Sequence, residues 1–584
     1  MTQERDRGVV SRRQVLTAAA TGVGWTLAGR VGAASAAGPA TTAGAGAAVA
    51  SGVGPAPADF PAGIEPYRQV YRNWAGELVV DDVWTCAPGT PDEVVTLANW
   101  AHTHGYTLRA QGFRHGWSPL TVTAGGADRV VLVDTTRHLT GMSLTGNSVR
   151  VQAGAAMEDL LGYLERAGRG LLATPAPGDL SVGGALAVDG HGTAVPADGE
   201  TRPADTTYGS LSNLILSLTA VVWDPAAGGY VLRTFDRAEP DCGAFLTHLG
   251  RAFVTEVVLR VGADRNLRCV SQVDVPAAEL FAAPGSAGRT FASVLDATGR
   301  AEAIWFAFTA NPWLKTWRVS PARPPASRPV SGPYNYPFSD NVPRPVAELA
   351  GRVVAGEYYL APVFGQAQYD TTVAGLAATA SADLWGASKN LLLYIKPTTM
   401  RMHANGYAVL CARADVQRVV HEFTRFYSRR LDEYAAAGRF PVNGALEIRV
   451  TGLDRPGDTG LPGAVPAALS ALSPRPDHPD WDVAVWFDVL TLPGTAYAGE
   501  FYREVEQFLF TTFAGSSAAT RVEWSKGWGY TDRAAWSEPA TLTGRIPASF
   551  PAGPDTGWRW AVDTLDRYDP HRVFTNPFLD ALLS

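Results

Sequence analysis

Residues 107–117, TLRAQGFRHGW, run a strand-like stretch straight into a histidine bracketed by Gly112 and Gly116. Such a segment neither continues as a strand nor opens a helix, and its backbone lies open to a ligand. A second open stretch, PAPGDLSVGGALAVDGHG at 175–192, carries five glycines in eighteen residues. Both need rigid elements around them, and both offer successive backbone N–H groups to an anion such as a pyrophosphate. Neither is a Walker A loop or a G-x-G-x-x-G following a strand, so the two standard nucleotide fingerprints are absent. On the residues alone, His115 reads first as an ordinary turn histidine.

The frame that holds these loops is long. A chain of 584 residues is too large for one simple core, which predicts two domains. From Asp59 to about Val261, helical patterns (DEVVTLANWAHTHG, MEDLLGYLERAG) alternate with strand-like runs (TLRAQG, RVVLVDT, SVRVQAG, NLILSLTAVVWD, FVTEVVLRV), which reads as α+β. Residues 262–540 carry longer aromatic-rich strands, AEAIWFAFT, NLLLYIKPTT and DVAVWFDVLTLPG, and the amphipathic helix ADVQRVVHEFTRFYSRRLDEYAAAG. They predict a second, antiparallel sheet covered by helices. Pro321 to Pro345 reads as a long loop, and DPHRVFTNPF at 569–578 closes the chain with turn signals.

Composition narrows the function. The 17 tryptophans and 22 phenylalanines can fill large interiors or an apolar cavity, and a net charge of −7 argues against nucleic acid as partner. Beyond the N-terminus no apolar run is long enough to span a bilayer. Cys86, Cys242, Cys269 and Cys411 lie far apart with no C-x-x-C, so no metal site is expected and buried thiols are, with a single bridge left open. Residues 1–36 contain paired arginines, Arg12 and Arg13, a weakly apolar run and the small-residue pattern Ala34-Ser35-Ala36. They read as a twin-arginine export signal, hence a secreted protein, with 37–58 as a flexible leader.

Taken together, RHGWSPL, PAPGDLSVGGALAVDGHGTAVP and DPHRVFTN resemble the vanillyl-alcohol-oxidase family of flavoproteins. The likeness extends to its covalent-flavin cholesterol oxidases of type II through SGPYNYPFSDN, NGALEIRVTGLD, RPDHPDWDVAVW, EFYREVEQ and EWSKGW, and covers most of residues 60–584. The resemblance implies an α+β, two-domain PCMH-type fold. Residues 59–262 would bind FAD, 263–540 would form an antiparallel-sheet substrate cap, and 541–584 would return to the FAD domain. It implies FAD bonded through its 8α-methyl to His115, and to no second residue, because 173–200 lacks the cysteine that bicovalent relatives use. Around the cofactor it places Gln111, Gly112, Phe113, Arg114, Gly116 and Trp117 from the first loop. Pro177, Gly178, Asp179, Ser181, Gly183 and Gly184 follow from the second, then His191, Gly192, Val254 and Asn576.

Catalytic candidates come from three strands and a loop. In GALEIRVTGL, Glu447 and Arg449 share one strand face by i, i+2 spacing, and the resemblance puts that face over the flavin. In AEAIWFAFT, Glu302 shares a face with Ile304, Phe306 and Phe308, and a carboxyl on so apolar a face suits proton transfer if buried. Lys526 in EWSKGW matches an active-site lysine of the subgroup. Two departures stand out: Gln111-Gly112-Phe113-Arg114 precedes the histidine where the subgroup often has arginine and methionine, and Asp488 stands where it has asparagine. The implied reaction is oxidation of the 3β-hydroxyl of cholesterol or a related sterol with O2, giving H2O2, followed by a shift of the ring double bond into conjugation. Transient contact with membranes or lipid particles and a monomeric state are expected with it. Two other readings stand beside this one: a covalent-FAD oxidase of a sugar or polyol, and a sterol- or flavin-binding protein without turnover.

Overall fold

The structure is a computed structural model describing residues 56–340, 342–550, 553 and 556–584. The export signal, and all of the leader but its last three residues, lie outside the described residues.

The first part is built from two sheets. Strands β1 (Tyr67–Arg72), β2 (Val79–Cys86), β3 (Thr107–Gln111) and β4 (Val130–Asp134) form a mixed sheet in the order β1-β2-β4-β3, with β2-β4 and β4-β3 parallel. Helix α1 (Pro91–His104) connects β2 to β3. Its start is capped by Thr90, which accepts from the Glu93 N–H, and Gly105 ends it at φ 68°. Strands β5 (Met142–Thr145), β6 (Ser148–Gln152), β7 (Ile215–Asp224), β8 (Gly229–Asp236) and β9 (Phe253–Arg260) form an antiparallel sheet in the order β5-β6-β9-β7-β8. Between β6 and β7 lie α2 (Met157–Arg166) and the short α3 (Val182–Ala187).

The second part is one sheet of nine strands. Its named members are β10 (Asn266–Gln272), β11 (Arg300–Phe306), β12 (Trp313–Val319), β13 (Asp383–Ala387), β14 (His403–Cys411), β15 (Ala445–Gly452), β16 (Val483–Thr491) and β17 (Ala518–Val522). The order is β13-β10-β12-β11-β15-β16-β14-β17, antiparallel throughout, with the two-residue strand Arg328–Pro329 pairing parallel to β13 at one edge. One face carries Ala303, Leu446, Ile448, Val485 and Phe487 against α4 (Val416–Ala436), where Phe423 stacks on Phe487 at 4.0 Å. Each such ring, fully buried, contributes about 2–3 kcal/mol. The opposite face is the one that bears the charged residues.

Three expectations are corrected. NLLLYIKPTT is not a strand: Ser388–Leu392 is a short helix and the chain then leaves regular structure. Leu391 and Leu392 bury beside Trp317, so a fully apolar run had no period by which to tell helix from strand. AEAIWFAFT ends as a strand at Phe306, and Phe308 sits in a turn at φ 67°, packed near Phe440 rather than beside Glu302. The Pro321–Pro345 stretch is no continuous loop, since it holds the edge strand at Arg328–Pro329, a turn of helix at Pro337–Asp340 and the start of helix Arg344–Val354. All four cysteines are free and buried. Among the described residues no helix is long and apolar enough to cross a membrane.

The chain's end is knotted into the first loop. The Arg109 guanidinium is buried and donates to the carbonyls of Gly250, Phe574 and Leu120, each at 2.6 Å. Asn576 accepts from the Leu579 N–H at 2.8 Å, capping the final helix, and donates to the carbonyls of Pro119 and Leu120 at 3.1 Å. Asn576→Ala removes a cap and takes the donor from the buried Pro119 carbonyl, so a loss of about 2 kcal/mol is expected in urea unfolding. An unchanged midpoint would remove this residue from the joint.

Candidate active site

Strand register assembles the charged wall. Glu302 on β11 lies directly opposite Arg449 on β15 and, on its other side, opposite Lys315 on β12. Glu447 lies opposite Ile304 on β11 and Asp488 on β16. Opposed residues in an antiparallel sheet share a face, so these side chains converge on one side. Arg449 Nη1 is 3.2 Å from Glu447 and 3.6 Å from Glu302, and Nη2 donates to Asp488. Glu302 and Asp488 are completely buried. Burial opposes charge on Arg449, but Glu447, Glu523 and Glu302 together hold the guanidinium firmly protonated. Burial pushes the Glu447 carboxyl up despite Arg449, with Glu302 adding to the rise.

The loops form the facing wall. His115 stacks on Trp74 with ring centroids 3.9 Å apart, and its Nδ1 sits 3.7 Å from Asp179. That nitrogen is buried without a hydrogen-bond partner, and burial pulls the imidazole's proton affinity down. Arg114, exposed, takes φ 62°, which turns the chain so that His115 faces inward. Trp117 is buried, donates its indole N–H to the Met402 carbonyl at 2.7 Å, and lies 4.0 Å beneath the Lys526 ammonium. Burial lowers the proton affinity of Lys526, with Glu523 opposing. Ser181 caps α3 by accepting from the Gly184 N–H. A Cβ on Gly112 would fall 2.1 Å from the Ser181 hydroxyl, so the two loops touch only because Gly112 has no side chain. His191 stacks on Trp486 at 3.8 Å, and burial brings it to about 4.

Between the walls lies a cavity of about 450 Å³. Glu302, Glu447, Arg449 and Lys526 line it, together with Gln111, Gly112, Phe113, Arg114, His115 and Trp117 and, from the second loop, Pro177, Ser181, Gly184 and His191. A smaller adjoining cavity of about 150 Å³ is reached by Gly116, Gly183 and Val254, and shares Gly112, Ser181 and Gly184 with the larger one. Five expected residues line neither. Asp488 stands behind Arg449 and holds it; Asp179 faces the cavity only through His115; Asn576 acts at the chain's end. Gly178 and Gly192 are glycines for packing, since a Cβ would come within 2.8 Å of Glu158 and 2.7 Å of the Thr174 carbonyl.

Other residues at the site were not singled out from the sequence. Glu523 lines the cavity with one carboxylate oxygen unpartnered, Tyr394 donates to Glu302 at 2.8 Å, and Trp74 carries His115. The motif EWSKGW drew attention to Lys526, although Glu523 opens the same motif. Ile304, Phe306, Trp313, Tyr336, Phe338 and Val346 give the larger cavity its apolar side.

The fold and site define a class first: residues 84–224 match the family described as FAD binding domain, and the protein is an FAD-dependent oxidoreductase. Its residues fit the group: the buried Nδ1 of His115 has no partner, and Gly112, Gly184 and Gly190 bring bare backbone to the wall of the larger cavity. Residues 266–584 match the family described as cholesterol oxidase, substrate-binding. Among solved structures, one described as a solvent-stable cholesterol oxidase is 55% identical, covering 91% of this chain and 100% of that one, with a TM-score of 0.90. Cholesterol oxidase from B. sterolicum is 45% identical, covering 91% and 99%, with a TM-score of 0.89. A histidine-to-alanine mutant of the Brevibacterium sterolicum protein matches with the same figures. Comparison with curated proteins gave no match. The chain belongs to the cholesterol oxidase family.

His191 supplies a pH test. The unfolded chain binds its proton near the ordinary value of 6.5, whereas the folded chain does so only near 4. Between those values the unfolded state holds more protons, so stability from this group is lost as pH falls through that window, by up to about 3 kcal/mol. His191→Gln should narrow the gap in urea-unfolding free energy between pH 7 and pH 4. An equal gap in both proteins would place the imidazole in water.

Proposed function

We propose that this protein is an exported cholesterol oxidase with FAD bonded to His115. It oxidises the 3β-hydroxyl of a sterol to the ketone and moves the ring double bond into conjugation, giving the 4-en-3-one. The observation that carries this reading is a cavity with one charged wall, formed by Glu302, Glu447, Arg449 and Lys526, and otherwise extensively apolar sides. A rigid hydrocarbon with one hydroxyl matches that division. Helices Arg344–Val354 and Ala361–Ala378 supply Val346, Gln368 and Thr371 to the cavity while exposing Val354 and Val363, with Tyr359 exposed between them. That patch suits transient contact with a membrane or lipid particle, made by a monomer.

FAD, held between the two loops beside His115, would supply the redox chemistry, hydride uptake from the alcohol carbon and return of two electrons, with two protons, to O2 as H2O2. The protein's own residues handle the proton and the charge. Glu302 and Glu447 are placed to take the hydroxyl proton and to move a proton between ring carbons. Glu447, whose burial favours its protonated form, suits a carrier that gains and loses a proton. Arg449 and Lys526 stabilise negative charge developing at the substrate oxygen or cofactor. The Nδ1 of His115, buried and unpartnered, is free to form the covalent bond.

Peroxide release with cholesterol, with xylitol and with no substrate separates this reading from a polyol oxidase and from a binding protein. Only cholesterol is expected to give peroxide; xylitol turnover or silence with all three overturns the reading. Flavin fluorescence should stay with the acid-precipitated wild-type chain and move to the supernatant for His115→Ala. Wild-type flavin in the supernatant would dismiss the linkage. Glu302→Gln and Glu447→Gln should each slow one step by roughly 10²–10⁴-fold, and one of them should accumulate the unconjugated 5-en-3-one. Conjugated product at wild-type rates from both variants would end the proton role.

A further inference from the structure

Behind the charged wall, a lysine lies where no substrate reaches it. Lys315 on β12 is completely buried, lines neither cavity, and its ammonium has no hydrogen-bond partner. A lone buried ammonium is among the costliest groups a core can hold, and such a group calls for a compensating charge or ligand. Two features compensate it here. Four rings surround it, with Tyr394 at 3.1 Å, Tyr336 at 4.8 Å, Trp317 at 4.9 Å and Trp313 at 5.2 Å from centroid to Nζ. The Glu302 carboxylate stands 3.8 Å away.

We infer that Lys315 is a positioning residue for the oxidation: caged by aromatic rings, it holds the Glu302 carboxylate from behind as a fixed anion while Arg449 holds it from the cavity side. The carboxylate geometry carries this. Oε2 of Glu302 faces Lys315 and accepts from Tyr394, while Oε1 faces Arg449 at 3.6 Å. The ionisable groups around Glu302 are Lys315 from β12, Tyr394 from the segment after the short helix, and Arg449 and Glu447 from β15. Cys269 from β10 lies beyond Lys315.

Charge balance gives the lysine its purpose. The cluster holds four carboxyls, Glu302, Glu447, Asp488 and Glu523, against two cations that interact with them on the cavity side, Arg449 and Lys526. Lys315 is the third cation. With Glu447 protonated the remaining formal charges cancel, three against three. Three of the caging rings, Trp313, Tyr336 and Tyr394, also line the cavity.

The test rests on the proposed proton role of Glu302 and is built to separate the two. Stopped-flow reduction of the holoenzyme by cholesterol is followed against pH for Lys315→Met, Glu302→Gln and the double variant. Removing the cation disfavours the Glu302 anion, so the acid limb of Lys315→Met should move up by about one pH unit, with roughly tenfold slower reduction on that limb. In the Glu302→Gln background, Lys315→Met should add no further shift. Thermal melting supplies a readout independent of turnover: the double variant, with no orphaned charge, should melt above Lys315→Met alone. If Lys315→Met is insoluble, recovery of a folded chain by adding Glu302→Gln supports the pairing, and failure to recover one overturns it. An unmoved acid limb in Lys315→Met, or an equal shift with and without Glu302, also overturns it. A wild-type pH profile for Glu302→Gln would instead overturn the proton role of Glu302.

Discussion

The guanidinium of Arg449 is buried among three carboxylates on three adjacent strands, and the site is arranged around it. Glu302 reaches it from β11, Glu447 from its own strand and Asp488 from β16. Burying such charges costs several kcal/mol per ion unless geometry and pairing are both good, and removing one partner typically costs about 3–5 kcal/mol. A sheet is a suitable scaffold for this, because register fixes which side chains oppose one another. A slip of one residue in β15 would carry Glu447 and Arg449 to the face now packed on α4 and bring Leu446, Ile448 and Val450 to the cavity side. The apolar contacts on one face therefore hold the ionic contacts on the other in place.

The loop wall follows a different logic. Its histidines are kept neutral by burial, and its glycines are required by close approach. Gly112 permits the first loop to touch Ser181, and Gly406 permits β14 to pass within reach of Asp488, Lys526 and Glu523, where a Cβ would sit 2.6–2.9 Å from their atoms. Neutral His115 has an unprotonated ring nitrogen, which any bond-forming role demands. The same burial that lowers its proton affinity thus preserves its nucleophile, and Trp74 fixes the ring plane by stacking.

Local pattern made part of this legible from the sequence. The capped α1, the amphipathic α4, and the i, i+2 pairing of Glu447 with Arg449 all depend on a few neighbouring residues, and each appears as read. What escaped depends on partners far along the chain. Tyr394 meets Glu302 across 92 residues, and nothing near Tyr394 marks it. Lys315 looks like a surface residue of the strand WLKTWRV until register sets it opposite Glu302. Asp488, which stands where the resembled subgroup has asparagine, meets Arg449 only because the sheet sets their strands side by side. Gly178, Gly192 and Asn576, which the resemblance places beside the cofactor, also have close-packing and capping roles that only the folded chain displays.

One charged wall in an apolar cavity also discriminates between alcohols. A polyol entering against Ile304, Phe306 and Trp313 would strip water from several hydroxyls while finding few partners for them. Each hydroxyl left unpaired costs about 1–3 kcal/mol, so two or three would cancel much of the binding free energy of a small ligand. A fused-ring alcohol has one hydroxyl to satisfy and a hydrocarbon body whose transfer out of water is favourable at about 25 cal/mol per Å². Selectivity in such a site arises from its apolar side as much as from its charged wall. In the proposed reaction the charged side chains act on whichever alcohol the apolar surface has already selected, which leaves Glu302, Glu447 and Arg449 for the reacting oxygen and carbon rather than for recognition.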